Sequence, residues 1–248
     1  MLRPRTLAAI GAARAAGIHV IVATGRMFRA VRPYLRQAEL RDPVVCYQGA
    51  AVVDPGSGDF LLHEPLDLEL ARKAIGLLDA AGHPPNCYVR EELVVARQTP
   101  YSRAYAEFQD IPVTEVGDLL AWLTEAPTKL VSVGEPDELA QLRIPLADEL
   151  GPGAFVTTSL PFLLEVGNAT VSKGTGAAWV AERLGVAAER SVAFGDGEND
   201  LELLAWSGFG VAVENGNPRL RERADLICPG PEEEGVATVI QAFVDSRS

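Results

Sequence analysis

Polar and apolar positions follow two rhythms along this chain. An alanine-rich stretch from Thr6 to Ala16 follows Pro4 and stops at Gly17, which predicts a helix with proline in its first turn and glycine past its end. Ile18 to Ala23 is a continuous apolar run, the pattern of a strand buried on both faces, and Thr24-Gly25-Arg26 is the loop at its carboxyl end. A helix is predicted over Met27 to Glu39 and a buried strand over Val44 to Tyr47. Such strand–helix alternation implies a parallel sheet with crossover helices.

The rhythm then changes. Ala51 to Val53, the turn Asp54 to Gly58 and Phe60 to Leu62 read as a hairpin. A helix over Asp67 to Ala81 precedes a second hairpin, Cys87 to Val89 and Leu93 to Ala96 around Arg90-Glu91-Glu92. Lys129 to Val133 is a strand, Pro136 to Leu150 a helix, and Phe155 to Thr158 pairs with Phe162 to Val166. From Lys173 the first rhythm returns. Helices over Gly174–Leu184, Asp200–Trp206, Pro218–Arg223 and Val236–Val244 alternate with strands over Ser191–Phe194, Phe209–Val213 and Asp225–Cys228. The economical reading is an α/β core, residues 1–58 and 167–248, interrupted by an α+β insertion over residues 59–166.

Ligands of parallel α/β sheets bind beyond the carboxyl ends of strands. Three loops qualify. Thr24-Gly25-Arg26 offers a hydroxyl and backbone N–H groups at a helix start. Lys173 sits at the mouth of the next helix and carries a compact charge suited to phosphate. Gly195-Asp196-Gly197-Glu198-Asn199-Asp200 follows an apolar strand and places two carboxylates four residues apart, a pattern suited to a divalent cation. Alone, Ala-Thr-Gly-Arg is an ordinary turn and a lysine before a helix is a solvated one. Together and in this order they describe a phosphoryl site, where catalysis is positioning and charge neutralisation.

The formal net charge of −12 argues against a nucleic-acid surface but not against a small anion met by a metal and one lysine. Cys46, Cys87 and Cys228 are far apart and odd in number, the pattern of buried thiols in a reducing cytoplasm. The apolar stretch Ala15 to Ala23 is too short to span a bilayer, so no membrane partner is expected. His19 reads as a sheet-surface residue, His63 and His83 as solvated loop residues, and Glu232-Glu233-Glu234 as a solvated face. Trp122, Trp179 and Trp206 read as packing anchors on helices.

The order of these motifs resembles the haloacid dehalogenase superfamily of phosphatases, specifically its Cof-type group with a class IIB inserted cap. The resemblance covers nearly the whole chain. It rests on Ile21 to Arg26, Gln48-Gly49-Ala50, Leu164-Glu165-Val166 leading to Val171-Ser172-Lys173-Gly174, and Val192 to Asp200. Gly208 to Val213, Asn215-Gly216, Ala224-Asp225 and Glu234 to Ala237 extend it. It implies a Rossmann-like core with a parallel sheet, a cap domain, and a Mg²⁺-dependent phosphatase of small phosphorylated metabolites such as sugar phosphates, acting through an aspartyl-phosphate. It also implies a monomer or homodimer.

The implied roles fall position by position. Thr24 and the Gly25 amide hold the phosphoryl group. Lys173 stabilises its oxygens, and Asn199 reaches the phosphate. Asp196 and Asp200 serve the Mg²⁺, and Asp200 also orients Lys173 or a metal-bound water. Gln48 stands where the family usually has asparagine, and its reach differs.

One element of the resemblance is missing. The family's first strand ends in Asp-x-Asp-Gly-Thr, whose two aspartates are nucleophile and general acid–base. Neither Asp67-Leu68-Glu69 nor Asp196-Gly197-Glu198 is followed by Gly-Thr. The expectation is that Met1 is an internal residue of a longer protein whose start lies on the order of 20 residues upstream. Residues 1–248 are then expected to hold phosphate and metal with almost no turnover. The alternative is a non-catalytic phosphate-binding or regulatory protein derived from the phosphatase.

Overall fold

The computed structural model describes residues 1–246. The chain divides into two compact units, one built from Met1–Leu61 and Ser172–Ser248, the other from Leu62–Val171.

In the first unit, α1 (Pro4–Ala15) carries Pro4 in its first turn and ends at Ala16, with Gly17 beyond at φ 73°. Leu7 and its neighbours follow the alanine pattern, and Ala9, Ile10 and Ala13 form the buried face. Helix α2 (Phe28–Gln37) buries Phe28, Ala30, Val31 and Leu35. Strands β1 (Val44–Cys46), β2 (Ala51–Val53) and β3 (Phe60–His63) form a three-stranded sheet in that order, with β1 and β2 antiparallel. The turn between β2 and β3 is built by Asp54, whose Oδ1 accepts from the N–H groups of Gly56 and Ser57.

The second unit opens with α3 (Leu68–Ala80), capped by the Asp67 carboxylate on the Glu69 and Leu70 N–H groups. Strands β4 (Asn86–Val89) and β5 (Glu92–Val95) form the expected hairpin. Next come α4 (Pro100–Gln109), β6 (Val113–Glu115), α5 (Leu119–Trp122), β7 (Lys129–Val133), α6 (Pro136–Leu150), β8 (Ala154–Leu160) and β9 (Leu163–Asn168). Six strands run in the order β6-β5-β4-β7-β9-β8. The pleat sends alternate residues to opposite faces. Cys87, Val89, Val94, Leu130, Leu164 and Val166 join the apolar core with α3 and α6. Tyr88, Lys129 and Glu165 take the other face.

The chain returns to the first unit with α7 (Lys173–Leu184), β10 (Val192–Gly195), α8 (Leu201–Trp206), β11 (Phe209–Val213), α9 (Pro218–Arg221), β12 (Leu226–Cys228) and α10 (Gly235–Asp245). Strands β10, β11 and β12 pair in parallel, as the apolar runs joined by helices require. Ala193, Ala212, Leu203, Leu204 and Leu220 pack between this sheet and its helices.

Several expectations are corrected. Ile18 to Ala23 is not a laddered strand; it makes one parallel bridge, Ala23 to Val45. Val45 N–H donates to Val22 and Thr24 N–H to Val45 on that side, and among the described residues no strand pairs along the other side. A single run of bonds on one side holds the segment extended without completing a ladder. The core therefore holds two three-stranded sheets rather than one.

Helices α4 and α5 and strand β6 were not expected. The capping box of α4, Thr99 with Ser102 and Pro100 between them, is the local signal. In Glu232-Glu233-Glu234 the first two residues are exposed, as expected of a solvated face, and Glu234 is half-buried. Arg3 pairs with Glu232 at 2.8 Å, and Glu234 Oε1 accepts from both the N–H and the hydroxyl of Thr6. His19 lies outside any strand and meets Asp42 at 3.0 Å. Trp122 is 39% exposed, so it is no packing anchor, whereas Trp206, the last residue of α8, packs on the core.

Candidate active site

Every candidate residue lies in the first unit. The loop after β10 is organised by Asp200, whose Oδ2 accepts from the N–H groups of Asp196 and Gly197 at 2.9 Å each. Asn217 N–H donates to the Asp196 carbonyl at 2.7 Å, so the loop after β11 braces the loop after β10. The acidic stretch is thereby folded around one of its own carboxylates.

The other oxygen of Asp200 meets Lys173. Helix α7 begins at Lys173 behind a Ser172–Thr175 capping box, which fixes where the lysine leaves the backbone. Its Nζ lies 2.6 Å from Asp200 Oδ1, with side-chain exposures of 9% and 4%. A buried ammonium is tolerable only when paired this closely, and the pairing leaves two further N–H bonds to donate.

Thr24 and Gly25 arrive from the extended segment after Ala23. Thr24 Oγ1 accepts from Arg26 N–H at 3.1 Å, and the Thr24 carbonyl accepts from Gln48 N–H at 3.0 Å. The 24–26 loop is thus laced to residues 47–48. Tyr47, Gln48 and Gly49 have φ of 52°, 61° and 105°, three successive left-handed residues. Such backbone is stored strain that surrounding structure must impose. Gly49 is obligatory here: a Cβ on it would lie 1.9 Å from the Ser172 carbonyl oxygen. That close approach seats the start of α7, and so Lys173, against the 47–49 turn.

Gln48 completes the cluster. Its Oε1 accepts from Asn199 Nδ2 at 2.9 Å, across 151 positions of sequence. Its amide also rests on Gly25, where a Cβ would stand 2.4 Å from Gln48 Nε2. The structure therefore brings together Thr24, Gly25, Lys173, Asp196, Asn199 and Asp200, and adds Gln48 as the link between two of the three loops. Its signal in the sequence was the departure from asparagine before Gly-Ala.

Asp196 is exposed, and among the described residues its carboxylate has no hydrogen-bond or ion-pair partner. No group of three or more His, Cys, Asp or Glu side chains placed to hold a metal occurs among those residues. One free carboxylate with only oxygen donors nearby suits Mg²⁺, which is held by one or two carboxylates with water and substrate phosphate completing its shell. It does not suit zinc, which takes nitrogen and sulfur ligands.

The family model for haloacid dehalogenase-like hydrolases matches residues 1–240. The 5-amino-6-(5-phospho-D-ribitylamino)uracil phosphatase YitU of Bacillus subtilis is 27% identical over 231 residues, 92% of this chain and 85% of that protein. A haloacid dehalogenase-like hydrolase from Bacteroides thetaiotaomicron superposes with a TM-score of 0.88 at 23% identity, covering 98% of this chain and 93% of that one. The subclass IIB sugar phosphatase BT4131 superposes with a TM-score of 0.82 at 19% identity, covering 98% and 92%. The two superpositions each cover 98% of this chain. With the match of the family model over nearly its full length, this chain belongs to the haloacid dehalogenase-like hydrolases.

Proposed function

We propose that this phosphatase-family chain binds the phosphoryl group of small phosphorylated metabolites, sugar or polyol phosphates among them, with Mg²⁺ as cofactor. The observation that carries the reading is the buried Lys173–Asp200 pair set among Thr24, Gln48 and Asn199. Asp200 fixes the ammonium, so its remaining N–H bonds point at a bound anion without a reorganisation cost. Thr24 contributes a hydroxyl donor. Asp196 holds the Mg²⁺, and Asp200 serves the ion only through lone pairs left by Lys173 and the loop. When bound, the ion neutralises charge on the phosphoryl oxygens. The ribitylamino-phosphate relative supports a polyol phosphate class. We take residues 59–166 as the inserted cap. A cytoplasmic location agrees with three buried free thiols, and no described helix is long and apolar enough to cross a membrane.

An aspartyl-phosphate route needs an attacking carboxylate beside Lys173. The acidic side chains of the described cluster are Asp196 and Asp200, assigned above to the ion and to the lysine. Residues 1–248 are accordingly proposed to bind phosphate with low turnover, which also keeps a purely phosphate-binding role as the second reading. Calorimetric titration with inorganic phosphate and Mg²⁺, beside an aryl-phosphate hydrolysis assay, tests both. Rapid hydrolysis abolished by Asp196→Ala would show an attacking group elsewhere in the chain, and absence of phosphate binding removes the phosphoryl reading.

A further inference from the structure

The amides of Asn199 and Gln48 meet in a direction that reassigns their roles. Asn199 Nδ2 gives one of its two N–H bonds to Gln48 Oε1 at 2.9 Å. Its Oδ1 turns back on its own loop, where a Cβ at Gly197 would stand 2.3 Å away. An amide oxygen is an acceptor only and repels a phosphate oxygen. Gln48 is the reverse case. Its acceptor end is taken, while Nε2 meets no hydrogen-bond partner among the described residues. Nε2 lies against Gly25, the residue after Thr24. Gln48 is 6% exposed, and Nε2 keeps both of its N–H bonds for a bound anion.

The backbone supports the same assignment. Gln48 sits in the middle of three successive left-handed residues, with its N–H tied to the Thr24 carbonyl. Strain of this kind persists where a functional group must be aimed.

We propose that Gln48 presents a side-chain amide donor to the phosphoryl group, and that Asn199 acts chiefly as a positioning residue through Gln48. The proposal rests on the phosphoryl-site reading above. It names a binding residue that the motif pattern alone assigns elsewhere.

The test is calorimetric titration of the 248-residue protein with inorganic phosphate in the presence of Mg²⁺. Gln48→Glu keeps an acceptor for Asn199 Nδ2 and replaces the donor by a carboxylate oxygen. Its phosphate affinity at pH 7.5 is expected to fall by about tenfold or more, the scale of a lost hydrogen bond to a charged group. Affinity should partly recover towards pH 5 as the new carboxylate protonates. Gln48→Leu, which adds no charge, should lose about as much, and Asn199→Ala less. The double variant should bind no more weakly than Gln48→Leu alone. Melting curves identify folded variants, and either Gln48 variant suffices. An Asn199→Ala loss exceeding that of Gln48→Leu overturns the proposal, as does wild-type affinity in both Gln48 variants. Failure of the wild-type chain to bind phosphate overturns the phosphoryl reading together with the proposal, whereas wild-type binding insensitive to Gln48 overturns the proposal alone.

Discussion

Lys173 Nζ and Asp200 Oδ1 stand 2.6 Å apart, joining the first residue of α7 to the last residue of the acidic loop. Both groups are nearly buried, so neither partner has water to fall back on. Removing Asp200 strands the lysine and frees the Asp196 and Gly197 N–H groups together. Asp200→Ala is expected to lower unfolding free energy by roughly 3–5 kcal/mol, the cost of an orphaned buried charge. Lys173→Met with Asp200→Leu should cost less than the two single changes summed. Denaturant midpoints of the four proteins decide it, and strict additivity would argue that the pair is solvated.

Gly49 tolerates no side chain. At φ 105° and with the Ser172 carbonyl in the way, Gly49→Ala meets both strain and overlap. The expected loss is about 2 kcal/mol or more, above the usual glycine-to-alanine effect at a left-handed site. Gly82, also at positive φ but with open space around its Cβ position, provides the comparison. Equal effects at the two positions would show that packing against Ser172 contributes nothing.

Lys129 and Glu165 form a second buried pair, 2.6 Å apart and each 4% exposed. Burial alone pulls the Lys129 ammonium down. The Glu165 carboxylate, with Tyr105 and the Glu165 hydrogen bond, outweighs it and holds the group above its ordinary value. A raised lysine stabilises the fold below its ordinary pKa, and that contribution is lost as pH rises through the folded value. In Glu165→Gln burial, the largest of these causes, is opposed by Tyr105 alone, so the sign reverses and stability recovers towards alkaline pH. Urea midpoints at pH 7 and 9.5 should show a deficit of roughly 3–5 kcal/mol at pH 7 that narrows at pH 9.5. A deficit independent of pH would remove Lys129 as its source.

The β4–β5 hairpin turns through Arg90 and Glu91 at φ of 51° and 61°, with Val89 opposite Glu92. Two consecutive left-handed residues are the geometry for which Asn-Gly is preferred. Glu91→Gly is expected to stabilise by roughly 0.5 kcal/mol, relief of strain exceeding the added chain entropy. A lowered melting temperature would mean that side-chain contacts of Glu91 outweigh its backbone cost.

Burial holds the Cys87 thiol at about 12, far above its ordinary value. The thiolate is the reactive species. Native protein at pH 8 should leave Cys87 unmodified by iodoacetamide, with labelling only after denaturation. Labelling of the native state at the rate of a free thiol would contradict its placement in the core.

Legibility in the sequence followed the range of the interaction. Apolar runs flanked by glycine and proline located most strands and helices, because burial and capping act within a few residues. Lys129–Val133 and Pro136–Leu150 fall on the expected bounds. The extended segment at 18–23 was misread because a ladder depends on neighbours that an apolar run does not specify. Helix α4 was missed although its Thr99 cap is local. At the site, Thr24, Lys173 and Asp200 could be read from their loops. The Gln48–Asn199 contact could not, since a hydrogen bond across 151 positions leaves no period or spacing to detect.

Among the described residues, the two sheets of the first unit share no backbone ladder. The side-chain line Gly25–Gln48–Asn199 and the ion pair at the head of α7 run from the β1 side of that unit to the β10 side. A phosphate seated there would act as a clasp as well as a substrate group. An anion present at a hundred times its dissociation constant adds about 2.7 kcal/mol to a folded state that alone can bind it. For this chain, occupancy and integrity of the unit then become one equilibrium: the fold would be most cohesive when charged with ligand, and its melting temperature would report how well a given phosphorylated metabolite fits.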